Sequence, residues 1–212
     1  MQKLTWKNAV STSGIRIKLI AGLALLAALF LIFPVFFQYI QQRQGPVLND
    51  FVLNNIPAVN LSIPLFMCIW IPGLLMAYRA VKSPSIFITF LWSFLFLSGF
   101  RLSTITLCNF NPPRGLVALT DPLLSRFYGN STVTKDLMFS GHTATIFLIY
   151  LCLEKQSDRL VALTASILVG IFVLIQHIHY TVDVVFAIPF ALLAWFLGIK
   201  AAGLKKRTVL KT

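Results

Sequence analysis

The sequence predicts an all-α integral membrane protein, a bundle of six transmembrane helices with both termini in the cytoplasm. Three observations carry that prediction. Apolar residues make up 58% of the 212 residues and charged residues only 11%, against about 25% charged in soluble domains. The apolar residues run in continuous blocks without strand-like alternation, each long enough for a hydrocarbon core of about 30 Å at helical rise. The basic residues gather at block ends on one side, as the positive-inside rule requires. A mean hydropathy of +0.83 excludes a soluble globular domain, a disordered chain and a disulfide-stapled secreted module.

The predicted spans are 18–40, 62–81, 85–108, 137–154, 160–179 and 181–200. The first has too long an apolar run for a signal peptide, although Lys3, Lys7, Arg16 and Lys18 precede it. With the N-terminus inside, the inner loops and termini hold Lys3, Lys7, Arg16, Lys18, Arg79, Lys82, Lys155, Arg159, Lys200, Lys205, Lys206, Arg207 and Lys211. The outer side holds Arg43, Arg114, Arg126 and Lys135, with Asp50, Asp121, Asp136 and Asp183. The organisation is one membrane domain, 18–200, between a cytoplasmic N-terminal segment, 1–17, and a basic cytoplasmic tail, 201–212. A net charge of +12 therefore reads as membrane orientation and anionic-lipid contact, and not as nucleic-acid binding. Cys68, Cys108 and Cys152 read as small hydrophobes without metal spacing.

Two long outer segments, 41–61 and 109–136, are rich in turn residues yet carry apolar patches such as Leu116-Val117-Ala118-Leu119. They are expected to lie along the interface as a roof. Asn130-Ser131-Thr132 forms a glycosylation sequon on that side. The inner loops read as short connectors.

The chemistry-bearing residues converge at the outer rim. His142 opens the fourth span, His177 and His179 end the fifth, and Asp183 opens the sixth. Loop charge and span order alone bring these groups to one surface. Ionisable residues at membrane depth call for a function. His179 and Asp183 are four residues apart. On helical backbone they share a face, so a carboxylate would fix one imidazole nitrogen and leave the other as a nucleophile or base. His142 follows Ser140-Gly141 at a helix start, where free amides and the helix dipole favour an anion such as phosphate. Arg101, about two turns below the rim of the third span, would need a partner, and a phosphate diester suits it. Asp50 faces the same side as a loop cap, and His177, two residues from His179, would point elsewhere.

The stretches Asp136–Thr143 and His179–Asp183 resemble the sphingomyelin synthase branch of the type 2 phosphatidic acid phosphatase superfamily. Ser140-Gly141-His142-Thr143 and His179-Tyr180-Thr181-Val182-Asp183 match that branch's S-G-H-T and H-Y-T-x-D blocks. Lys135 replaces the glycine of its G-D-x3-S-G-H-T block, and Phe100–Pro113 resembles its Arg-containing third span and proline-rich exit. The general phosphatase signature differs: Phe139 stands where it has proline, Phe172-Val173 where it has S-R, and K-x6-R-P is absent. These departures favour the transferase branch.

The resemblance implies a six-helix fold of the lipid phosphatase/phosphotransferase type acting on a phospholipid donor and a ceramide-like lipid acceptor. It implies His142, His179 and Asp183 as catalytic residues, with Arg101, Ser140, Gly141, Thr143, Asp136 and Tyr180 around the phosphate, and no metal or cofactor. The active site would lie on the non-cytoplasmic face. The residues alone leave a lipid phosphate phosphatase or phospholipase C-like hydrolase, with water as acceptor, as an alternative. A His–Asp proton relay in a transporter would place polar groups through the bilayer depth, and a zinc site on His142, His177, His179 and Asp183 would need His-x-His to converge. Head group, acyl-chain choice and oligomeric state are not encoded in these motifs.

Overall fold

The computed structural model describes residues 4–119 and 133–203. The sequon, the turns at Asp121-Pro122 and Gly129-Asn130, Arg126 and the basic tail from 204 onward lie outside the described residues. The helices are α1 (Trp6–Ser11), α2 (Ser13–Gln42), α3 (Ser62–Lys82), α4 (Pro84–Leu107), α5 (Gly141–Cys152), α6 (Gln156–Ile175) and α7 (Thr181–Ala202), with a 3-10 turn at Leu53–Asn55. Among the described residues there is no strand. Five helices, α2, α3, α4, α6 and α7, have the length and apolar composition to cross a membrane.

Two predicted spans change. The fourth, predicted over 137–154, is the 12-residue α5, about 18 Å long at helical rise and short of the hydrocarbon thickness. The chain before it stays out of the helix because its amides bond elsewhere: the Met138 and Ser140 N–H groups donate to the side chain and main chain of Asp183. The fifth, predicted over 160–179, stops at Ile175. His177 adopts a left-handed backbone at φ 53°, its N–H donates to the Leu174 carbonyl, and Ile178 N–H reaches back to Val173. That is a Schellman stop, with histidine where glycine is usual. His177 and His179 therefore lie in the turn after the helix, not on its last turn.

The two ends of the bundle are chemically distinct. At one end Trp6 Nε1 donates to the Val81 carbonyl at 2.7 Å, Lys18 Nζ to the Ala202 carbonyl at 3.1 Å, and Arg79 pairs with Asp158 at 2.5 Å. This end collects both termini of the described chain and, among the described residues, basic side chains such as Lys18 and Arg79 that charge counting assigns to one side. At the other end the two long outer segments are sewn together. Asn111 N–H donates to Pro46, Arg43 Nη1 to Ile105, and Gln41 exchanges two bonds with Thr134.

The core follows from small residues on α7. Ala187, Ala191, Ala194, Gly198 and Ala202 are buried, and α7 packs along α4 through this stripe. Close backbone approach is how helices gain contact in lipid, where burial of apolar surface supplies no drive. At Gly198 a side chain has no room: an added Cβ would lie within 2.6 Å of the Ser93 backbone nitrogen. The opposite faces, such as Leu31 and Val35 on α2, are left bare, as a lipid solvent allows. Replacing Gly198 with Val should cost about 1–3 kcal/mol from overpacking. Thermal unfolding in detergent would read it, with Leu193→Val on the exposed face unchanged.

Candidate active site

The site is built around the start of α7. Asp183 is fully buried and His179 is 2% exposed. Asp183 Oδ2 accepts from His179 Nδ1 at 3.2 Å and from Tyr180 N–H at 3.0 Å, while Oδ1 accepts Met138 N–H at 3.1 Å. An ionised carboxylate only accepts, so His179 carries its proton on Nδ1 and presents the Nε2 lone pair. The pair forms across a turn–helix junction and not along one helix face. The Asp183 carbonyl also accepts Ser140 N–H at 2.9 Å. One residue thus ties both histidine blocks together.

Ser140 caps α5. Its hydroxyl accepts from Thr143 N–H at 3.4 Å and from Thr143 Oγ1 at 3.0 Å. Ser140 and Thr143 are both buried, and these bonds fix the helix start. Among the described residues the Gly141 and His142 amides, first in the helix, have no acceptor. The orphan donors and the dipole make this an anion-seeking point.

Arg101 stands over it. Its Nε donates to Asp136 Oδ1 at 3.0 Å and its Nη2 pairs with Asp136 Oδ2. The fork is held by its side edge, so Nη1 is left over α5. A Cβ on Gly141 would fall on that nitrogen, so glycine is what lets the guanidinium reach the helix start. A cation beside the positive end of a helix dipole is unfavourable unless an anion joins them. His142 lies within electrostatic reach of both Arg101 and His179, and Arg101 within reach of Asp183. The buried His142 Nδ1 has no hydrogen-bond partner. A cavity of about 240 Å³ adjoins Arg101, Asp136 and His142, with Phe33 and Phe37 of α2 and Phe94 and Leu97 of α4 as its apolar walls.

The other sequence-selected residues serve the frame. The Tyr180 hydroxyl accepts from Leu48 N–H at 3.1 Å and donates to the Asn111 carbonyl at 2.8 Å, joining the two outer segments. Asp136 meets Arg101, so its carboxylate is oriented toward a cation and not toward a phosphate. His177 Nδ1 lies 2.9 Å from the Arg114 carbonyl, so His177 and His179 diverge. Among the described residues no three His, Cys, Asp or Glu side chains are grouped to hold a metal ion. Sequence reasoning passed over Gln176. Fully buried, it bonds Leu61 N–H, Ser62 Oγ and the Val117 and Ala118 carbonyls, so it fastens both outer segments above the site. A lone amide closing the apolar run Ile171–Ile175 was the available signal. The Phe33, Phe37 and Phe94 walls carried no signal beyond general apolarity.

Asp50 lies outside the spans and acts through the same frame. Its carboxylate accepts Thr181 N–H at 2.6 Å, Thr181 Oγ1 at 2.9 Å, and the Val52 and Leu53 amides. Partial burial works to raise its pKa, but these donors outweigh it and hold the carboxyl below its ordinary value of 3.8. A group depressed on folding contributes stability above its unfolded pKa and loses it as pH falls through the folded value. Thermal stability in detergent should therefore drop as pH is taken from about 5 to about 3, and Asp50→Asn should flatten that part of the profile.

Comparison with known proteins agrees with the region that holds this site. The PAP2 superfamily C-terminal family matches residues 135–200. Phosphatidylcholine:ceramide cholinephosphotransferase 2 of Macaca fascicularis is 38% identical over 65 residues, 28% of this chain and 18% of the relative. The Homo sapiens protein of the same name is 37% identical over the same extent. The chain thus matches less than a fifth of the length of these relatives. No solved structure matches. Residues 135–200 are thus similar to the PAP2 superfamily C-terminal family.

Proposed function

We propose that the protein is a membrane-embedded phosphotransferase that moves a phospho-head group from a glycerophospholipid to a ceramide-like alcohol. The observation that carries this reading is the buried pair of His179 Nδ1 and Asp183 Oδ2 at 3.2 Å, set against the amide-rich start of α5 with Arg101 above it. The names of the similar proteins, phosphatidylcholine:ceramide cholinephosphotransferases, supply the donor and acceptor classes.

In the first step His179 Nε2 attacks phosphorus. The bond from phosphorus to the diacylglycerol oxygen breaks, and that oxygen takes a proton from His142. Asp183 stabilises the imidazolium character that develops on His179. Arg101 Nη1 and the Gly141 and His142 amides neutralise the phosphoryl oxygens where charge builds, a contribution worth several kcal/mol in a water-poor site. In the second step the acceptor hydroxyl attacks phosphorus as His142 takes its proton, and the nitrogen–phosphorus bond breaks. His142 Nδ1 has no competing partner, which suits a group that exchanges protons with substrate. The near-complete burial of His179 supports an alcohol acceptor over bulk water. In this reading the site faces the non-cytoplasmic side, and the basic end faces the cytoplasm.

The test uses labelled phosphatidylcholine in vesicles holding the purified protein, with and without ceramide. Label should pass to ceramide, and His179→Ala should abolish the transfer in protein that remains inserted. Release of free phosphocholine or phosphate alone, independent of ceramide, would replace the transferase by the hydrolase. Gly141→Ala, which pushes Arg101 off the helix start, should lower kcat by about 100-fold with little change in unfolding temperature. Unaltered kcat would remove Arg101 from the phosphate site.

A further inference from the structure

The cavity beside the site has both charged and aromatic lining. Arg101, Asp136 and His142 form its ionisable part. Phe33 and Phe37 of α2 and Phe94 and Leu97 of α4 line the same space, together with Ser98, Val133 and Thr145. From Arg101 to Phe94 is seven residues of α4, a drop of about 10 Å at helical rise. Lined by a guanidinium and an imidazole on the one hand and by phenylalanines on the other, the space suits a lipid with an anionic head and apolar chains. Its outer wall is α2, the least buried of the long helices, which packs mainly along α4 and leaves a cleft toward α5. Pro34 sits between the two wall phenylalanines. It removes one helical hydrogen bond there and softens the wall where it meets the cavity.

We infer that the cleft between α2, α4 and α5 is the docking slot for the donor phospholipid, and that Phe33, Phe37 and Phe94 select its chain-bearing end. This rests on the phosphotransfer reading above. With the phosphate between Arg101 Nη1 and the first turn of α5, the cavity lined by those rings offers it an adjoining apolar space. The glycerol and the first segment of an acyl chain fill it, and the rest of the chain passes beside α2 into the bilayer. The phenylalanines give the slot its width, so they govern which glycerolipids present phosphorus to His179.

Binding is separable from turnover. His179→Ala protein in phosphatidylcholine vesicles would be irradiated with a trace of phosphatidylcholine carrying a diazirine on one acyl chain. Adducts are expected to be severalfold richer at Phe33 and Phe37 than at Leu31 and Val35, which face bulk lipid on the same helix. That enrichment should vanish in Phe33→Trp/Phe37→Trp protein while Leu31 and Val35 keep their labelling. Equal labelling of the two faces, or enrichment that survives the tryptophans, overturns the slot. In active protein Phe33→Trp should cut transfer from long-chain phosphatidylcholine about tenfold through overpacking and spare a donor with two-carbon chains. Equal loss from both donors also overturns it. Selective adducts in a protein that transfers nothing would leave the slot standing and refute the phosphotransferase.

Discussion

The arrangement depends on one buried carboxylate. Asp183 has no exposure, and a buried charge persists only when its lone pairs are met by donors. The donors come from two places in the chain. His179 Nδ1 and Tyr180 N–H come from the turn before α7, and Met138 N–H comes from the non-helical approach to α5. Satisfying the carboxylate therefore forces the two histidine blocks together. The approach chain accepts a cost for this: Met138 has φ 103°, a conformation that non-glycine residues avoid. Backbone strain beside a buried charge, with the Asp183 carbonyl holding Ser140 as well, sets the start of α5 at the level of His179.

The outer roof follows the same economy of buried polar groups. Gln176, Tyr180 and Asp50 each bridge segments distant in sequence. Non-helical backbone near membrane depth has amides and carbonyls that lipid cannot satisfy. These side chains meet them, so 41–61 and 109–119 can close over the helix ends with no more regular structure than the 3-10 turn at Leu53–Asn55. His177 contributes by stopping α6 and meeting Arg114. Without that stop His179 would remain on α6 and could not turn back to Asp183.

Arg101 shows how a charge is aimed and not merely neutralised. Asp136 takes Nε and Nη2, the edge of the fork best suited to a bidentate partner. The remaining nitrogen is directed at the α5 amides, and Gly141 leaves it the space. A guanidinium held in this way adds little reorganisation to phosphate binding, which is how preorganised charge lowers a barrier.

The sequence by itself determined the solvent, the helical class and the meeting of His142, His179 and Asp183 at one end. Those follow from block hydropathy, loop charge and span order, which are local or additive properties. It also carried the helix start at Ser140-Gly141 and the pairing of residues 179 and 183, while the Ser140–Thr143 cap came from the structure. The tertiary structure decided the short α5, the stop of α6 at Ile175, and the partners of Asp136, Tyr180 and Gln176. It also decided which of nineteen phenylalanines line a cavity. The reason is that helix length and polar pairing depend on where distant donors lie. Met138 bonds Asp183 across 45 residues and Gln176 bonds Ser62 across 114, separations at which neither hydrophobic period nor helix propensity holds information.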